Sequence, residues 1–333
     1  MKVAVVGCGG VSALHFDAAF RNPCAQLVAA VDIKPERAHY YAGKYGIRAY
    51  TDYYEMLENE RPDTVHICTP HCFHTEYSVR ALNEGINVLC EKPCSVNDEE
   101  IEALQNAQRN SSAKYAVCFQ NRYNACIRRV LEARDSGAYG KIKAIRAFVT
   151  WSRGEDYYSD DWHGTLEKEC GSLLINQAIH TLDLITYIGG KAVSLDAHIA
   201  NDHLKGIIET EDTACIRFEL ENGVNAVFYG TTGYGENAPV FIEVVFENGI
   251  LRCEGEKLFK VEGGAPSEIE LTTLGRGGKD YWGSGHPVLI NDFYNAIENG
   301  TKFETDAFSG AQAAKAVFAA YRSSESGERV FLK

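Results

Sequence analysis

Over its first 120 or so residues the chain alternates short apolar runs with helix-length amphipathic stretches, and few folds accept that alternation. Lys2–Val6 reads as a strand, followed by a glycine-rich loop and a helix to about Phe20. Gln26–Val31 is a second apolar run ending at Asp32, after which Pro35 opens a helix that runs toward Tyr45 and stops at Gly46. Thr64–Thr69 is a third run, introduced by Pro62-Asp63 and closed by Pro70, and a helix from about Phe73 to Asn83 ends at Gly85. The run Ile86-Asn87-Val88-Leu89-Cys90 follows, and Ser95 to Asp98 supply caps for a helix over Glu99–Gln108. Strands that are apolar throughout and alternate with helices predict an open, parallel, doubly wound α/β sheet, a Rossmann-type domain ending near Gln120.

Beyond Gln120 the pattern changes. Lys143–Trp151, Val193–Ala200, Thr213–Glu219, Asn225–Thr231, Phe241–Glu247 and Gly249–Cys253 are β-branched and often alternating, with Asn222-Gly223 and Asn248-Gly249 as hairpin signals. They predict an α+β domain over residues 121–333 with a large, mainly antiparallel open sheet and helices on one face. A last helix at about Ala307–Ser323 is placed to pack back on the first domain.

Charge and cysteine content remove several function classes. A formal charge of −13 opposes binding to nucleic acid or to an anionic membrane surface. No run is long enough to span a bilayer, and a strand beginning at Lys2 leaves no room for a signal peptide, so a cytoplasmic protein is expected. Eleven cysteines, an odd number, then read as reduced core residues. Cys68-x3-Cys72, with His71 and His74, lacks a second pair and a zinc-type spacing, so no metal is expected.

Gly7-Cys8-Gly9-Gly10-Val11-Ser12 lies between the first strand and first helix, where small residues allow a tight turn and close approach to a pyrophosphate. The following helix terminus offers N–H groups to phosphate. Asp32 ends the second strand 20 residues beyond Ser12, the place of an acid that holds ribose hydroxyls. A carboxylate there repels a 2′-phosphate, so NAD is expected over NADP, with the nearby Lys34 weakening that preference. Glu91-Lys92-Pro93 stands at the carboxyl end of the Val88–Cys90 strand, where ligands of such sheets bind, and this aims Lys92 at the cofactor crevice.

A third group of polar residues sits in an apolar setting. From Leu173 to Ile188 the chain reads as one helix, and at roughly 100° per residue Asn176, His180, Asp183 and Tyr187 fall within about 60° of one another. One narrow polar stripe on a buried helix points at something polar. Tyr157 and Trp162, in a loop rich in Asp and Gly, are aromatics suited to a sugar face.

Together GCGGVS, Asp63-x-Val65-x-Ile67-x-Thr69-Pro70 with His74, Val88-Leu89-Cys90-Glu91-Lys92-Pro93, Asn176-Gln177-x-x-His180-x-x-Asp183 and Tyr321-x-Ser323 resemble the glucose–fructose oxidoreductase/inositol dehydrogenase (Gfo/Idh/MocA) family over nearly the whole chain. The resemblance implies NAD(P)-dependent oxidation or reduction of a secondary hydroxyl on a sugar, glycoside or cyclitol, and a homo-oligomer, dimer or tetramer, built on the open sheet. It implies that Gly7, Gly9, Gly10, Val11, Asp32, Thr69, Pro70, His74, Glu91, Lys92 and Gln120 surround the cofactor. His180 is then the expected base and Lys92 the cation on the developing alkoxide, roles that the two could exchange. Asn176, Asp183, Arg122, Tyr157 and Trp162 are expected at the substrate. Asn176 stands where many relatives carry aspartate and Cys170-Gly171-Ser172 where many carry three glycines; relatives with that asparagine direct attention to C3 of a hexopyranoside. Two other readings stay open: an NAD-dependent glycosidase that oxidises C3 transiently and eliminates the aglycone, and a non-catalytic NAD(P)-binding sugar sensor.

Overall fold

The computed structural model of the protein describes residues 1–271 and 285–332, which form two compact units. The first holds Met1–Gln120 and Gly285–Ala311. Its strands are β1 (Lys2–Val6), β2 (Gln26–Val31), β3 (Arg48–Tyr50), β4 (Thr64–Ile67), β5 (Asn87–Cys90) and β6 (Tyr115–Val117). Its helices in the same stretch are α1 (Ser12–Arg21), α2 (Pro35–Tyr45), α3 (Tyr53–Glu60), α4 (His74–Asn83) and α5 (Asp98–Asn110). The strands form one parallel sheet in the order β3-β2-β1-β4-β5-β6. Order reverses beside β1, which lies between β2 and β4, and that switch point opens a crevice beyond the strands' carboxyl ends. All of β4 is buried, Thr64 and His66 included, as befits a central strand of a parallel sheet.

The segment that rejoins this unit is Gly285–Ala311, not the last helix, which runs over Ala311–Ser326 and from Gln312 onward belongs to the second unit. Thr305 pairs with edge strand β6: the Val117 N–H donates to its carbonyl at 2.8 Å, and its hydroxyl donates to the Val117 carbonyl at 2.8 Å. An edge strand of three residues is thereby covered instead of being left to solvent.

In the second unit α6 (Ala125–Asp135) precedes β7 (Ile142–Thr150), and α7 (Ile179–Gly189) precedes β8 (Ala192–Ala200), β9 (Thr213–Leu220) and β10 (Asn225–Thr231). β11 (Phe241–Phe246), β12 (Gly249–Glu254), β13 (Lys257–Glu262), β14 (Ala265–Ile269) and β15 (Val330–Phe331) complete a nine-stranded sheet, in the order β14-β13-β12-β11-β7-β10-β9-β8-β15. Every pairing is antiparallel except β7 with β10. Burial alternates residue by residue along β9, and on β10 the outward Val227 and Tyr229 remain exposed. The β9–β10 turn uses Asn222 and Gly223 with φ of 62° and 75°, the conformation their pairing predicts. The β11–β12 loop differs: Glu247 and Asn248 form it, and Gly249 is already paired with Phe246.

Seven of the eleven free cysteines are buried. Burial, with Asp32 close by, pushes the Cys8 thiol up to about 12, so it packs as a neutral group. No helix among the described residues is long and apolar enough to cross a membrane.

Candidate active site

The loop after β1 is built to keep backbone bare. Gly7 has φ of 88°, and a Cβ there would lie 2.5 Å from the Cys68 carbonyl oxygen, so no other residue fits the turn. At Gly9 and Gly10, by contrast, an added Cβ would meet no atom within 4 Å. These two glycines front open space at the amino end of α1, whose N-cap residue Val11 makes no side-chain cap. The Ser12 hydroxyl donates to the Gly9 carbonyl at 2.7 Å and holds the loop in shape. Uncapped N–H groups, the helix dipole and a bare approach fit a pyrophosphate.

Asp32, at the end of β2, accepts from the Cys8 N–H and from the Lys34 N–H, each at 2.8 Å, through different oxygens. It therefore ties the glycine loop to the second strand, and each oxygen keeps a further lone pair for a ribose hydroxyl. The Thr69 hydroxyl, after β4 in the same crevice, is buried with no hydrogen-bond partner. A dinucleotide fits this donor and acceptor set.

The expected cofactor contacts at β5 are arranged otherwise. Glu91 does not face the crevice. It is 5% exposed, accepts from His15 Nε2 at 2.9 Å, and lies 3.6 Å from His286 Nε2. Burial alone would push its carboxyl up, but the hydrogen bonds of His15 and His286 outweigh that and hold it well below the usual carboxylate range. His15 Nδ1 is 3.1 Å from His66 Nδ1, and His66 Nε2 is 2.9 Å from the Tyr294 hydroxyl. Burial disfavours the charged form of His66. Neutral rings satisfy the whole row: Tyr294 donates to His66, His66 to His15, and His15 to the Glu91 carboxylate. Ligand atoms of His15, Glu91 and Cys118 lie within 4.8 Å of one another, and their hydrogen bonds to Glu91 account for that grouping without an ion. His74 is likewise a brace: it is 1% exposed, with Nδ1 2.7 Å from the Pro93 carbonyl and Nε2 2.8 Å from the Thr69 carbonyl. It joins the loops after β4 and β5 and leaves no ring nitrogen for a cofactor. Lys92, between these fixed neighbours, donates its backbone N–H to Glu91 Oε2 at 3.3 Å. Pro70 is partly buried, and Gln120 is buried just beyond β6, whose carboxyl end lies on the crevice side.

In the second unit the expected single helix is two pieces. Leu173–Gln177 is a π-turn, with the Ala178 N–H donating to the Leu173 carbonyl at 2.7 Å, and α7 starts at Ile179. Asn176 sits in the π-turn and donates its Nδ2 to Glu169, a residue with no solvent exposure. Gln177 is held at both ends, donating to the Tyr157 hydroxyl at 2.5 Å and accepting from Arg153 Nε at 3.2 Å. Tyr157 and Trp162 both pack on His163, with ring centroids at 4.7 and 3.8 Å.

Asp183 and Arg122, both expected at the substrate, are partners of each other. Arg122 Nε and Nη2 donate to the two Asp183 oxygens at 2.8 and 2.6 Å, both side chains are at most 5% exposed, and the guanidinium lies 4.2 Å from the Tyr187 ring centre. A bidentate fork takes up both carboxylate oxygens and locks α7 to the chain entering the unit. Asp183→Asn leaves Arg122 charged and buried without its carboxylate. It is expected to lower stability by about 3 kcal/mol or more, read as a fall in urea midpoint; an unchanged midpoint would contradict the pairing. Once that pair is formed, His180 and Tyr187 are the side chains of α7 that still reach solvent, every other position being buried.

Comparison with known proteins agrees with both units. A family of oxidoreductases with an NAD-binding Rossmann fold (GFO_IDH_MocA) matches residues 1–119, and the GFO/IDH/MocA C-terminal domain matches residues 127–252. The D-glucoside 3-dehydrogenase of Escherichia coli K12 is 27% identical, covering 100% of this chain and 97% of its own. An inositol 2-dehydrogenase of Ralstonia nicotianae is 25% identical over 98% of this chain and 95% of its own. Among solved structures, the WlbA dehydrogenase of Bordetella pertussis in complex with NADH and UDP-GlcNAcA superposes with a TM-score of 0.88 at 26% identity, covering 100% of this chain and 99% of that one.

Proposed function

The chain belongs to the Gfo/Idh/MocA family of NAD-binding oxidoreductases, and from that membership we propose that it exchanges a hydride between NAD and a secondary hydroxyl, at C3, of a hexopyranoside or related cyclitol. One observation carries the reading. α7 is buried at every position except His180 and Tyr187, Tyr187 packs against the Arg122 guanidinium, and His180 is the group of suitable acidity near neutral pH that this helix leaves partly exposed. The likeness to a glucoside 3-dehydrogenase over the full length supports C3.

Bound NAD would supply an acceptor for the hydride on the carbon that carries the hydroxyl. The chain's residues handle the rest. His180 takes the hydroxyl proton, a task suited to imidazole near neutral pH. The Lys92 ammonium stabilises negative charge as it develops on the oxygen. Asn176 cannot accept the proton and instead hydrogen-bonds the substrate. Asp32 holds the adenosine ribose and repels a 2′-phosphate.

Reduced-nicotinamide absorbance, followed across sugars, glycosides and cyclitols with either cofactor, tests this. A pyranoside with a free C3 hydroxyl is expected to give the highest kcat/KM, with NAD preferred to NADP by about tenfold or more, since a 2′-phosphate would face the Asp32 carboxylate. Equal or better use of NADP would remove the role given to Asp32. Glycoside cleavage with no net NADH would replace oxidation by the elimination chemistry, and NAD binding without any turnover would favour a sensor.

A further inference from the structure

We propose that Glu169 is a positioning residue that fixes the amide of Asn176 with its oxygen toward the substrate, so that the site selects a ligand offering a free hydroxyl as donor at that point. The proposal rests on the reading of Asn176 as a substrate contact. Glu169 is 0% exposed and receives two hydrogen bonds, from Asn176 Nδ2 and from the Gly164 backbone N–H, through different oxygens. The loop that carries it is bent sharply toward the π-turn. The Glu169 and Cys170 N–H groups both donate to the Thr165 carbonyl, at 3.2 and 3.0 Å, and Cys170 adopts a left-handed φ of 63°.

Asn176 Nδ2 donates to one Glu169 oxygen while the other takes the Gly164 N–H, so the NH2 edge of Asn176 faces Glu169. The amide oxygen is then on the other edge. A neutral amide at position 169 would impose the opposite choice, because the Gly164 N–H claims its oxygen and leaves its NH2 facing position 176. Glu169 therefore converts an ambiguous side chain into a committed acceptor, and a site built around an acceptor discriminates strongly against an analogue that lacks the donor.

Swapping the charge tests the pair directly. In N176D two carboxylates meet in a buried place and must share a proton. That form is competent while the proton is retained and fails as pH rises and it is lost. N176D is therefore expected to lose roughly tenfold or more in kcat/KM, with the loss growing toward high pH. In E169Q the new amide gives its oxygen to Gly164 and turns its NH2 to position 176, so Asn176 flips, presents a donor, and KM rises. In N176D/E169Q the introduced amide accepts from Gly164 through its oxygen and donates its NH2 to the introduced carboxylate, so an acceptor again faces the substrate. The double variant is expected to regain most of the kcat/KM and a pH profile like that of wild type.

A double variant no better than the worse single, or single variants with wild-type KM and pH profile, would overturn the proposal. Should N176D not fold, E169Q against the double variant still decides it. Thermal melting against pH keeps this separate from the activity itself. If wild type oxidises no sugar, the proposed function fails. Even then a melting temperature that falls with rising pH in N176D, and not in N176D/E169Q, is required by the pair, and its absence would sink it.

Discussion

His180→Ala is expected to lower kcat by roughly 10²–10⁴, the range of a lost general base, while NAD binding is kept. The two effects separate because His180 stands on α7 in the second unit, whereas the glycine loop, Asp32 and Thr69 belong to the first. The substitution removes a partly exposed ring and leaves the Arg122–Asp183 clamp that holds the helix. NAD affinity measured by protein fluorescence, beside steady-state turnover, reads both quantities. Partial recovery with added imidazole is the further sign of a missing base. A variant with wild-type kcat would transfer the role elsewhere, first to Lys92.

Lys92→Ala is expected to cost about 10²–10³ in kcat, the loss typical when one stabiliser of a developing oxyanion is removed. The substitution deletes an ammonium without releasing the loop. Glu91 on one side is held by His15 and His286, and Pro93 on the other accepts from His74. A loss due to loop disorder would instead raise the Kd for NAD. If Lys92 and His180 act on the same hydroxyl, removing both costs less than the product of the single losses, because residues acting as a unit are not additive. Fully multiplicative losses would place them in separate steps.

Much of the first unit was legible because its signals are local. A strand leading into Gly7, small residues through Ser12 and an acid at Asp32 are each read within a few residues of themselves. β3, β6 and α3 passed unseen for the complementary reason. β3 and β6 have three residues each, too few to show a period, and α3 depends on an Asp52 cap that accepts from Glu55 at 2.8 Å. His15 carried a signal that went unread. It falls with Ser12, Phe16 and Ala19 on the buried face of α1, and a histidine at such a position needs a partner. His66, inside the buried β4, posed the same question.

The stripe from Asn176 to Tyr187 was read on one continuous helix, and the segment is two pieces. A 100° helical wheel has no means of detecting a π-turn, which inserts one residue and re-aims the side chains around it. Nor does spacing reveal that Asp183 already has a guanidinium from 61 residues earlier, a fork that forms only on folding. Glu169 was invisible as a functional residue because nothing in its neighbourhood distinguishes a carboxylate that orients an amide from one that meets water.

The first unit's path along the chain sets a schedule for its making. Its sheet is finished by residue 117, yet Tyr294, His286 and Thr305, which complete the histidine row and cover β6, are translated only after the whole described sheet of the second unit apart from β15. At ordinary elongation rates the nascent sheet waits on the order of 10–30 s with Glu91 and the β6 edge incompletely satisfied. For that interval a chaperone or the ribosome surface has an open strand to hold, and a protease cutting anywhere between the two segments would strand the nucleotide-binding half without its closing segment, Gly285–Ala311.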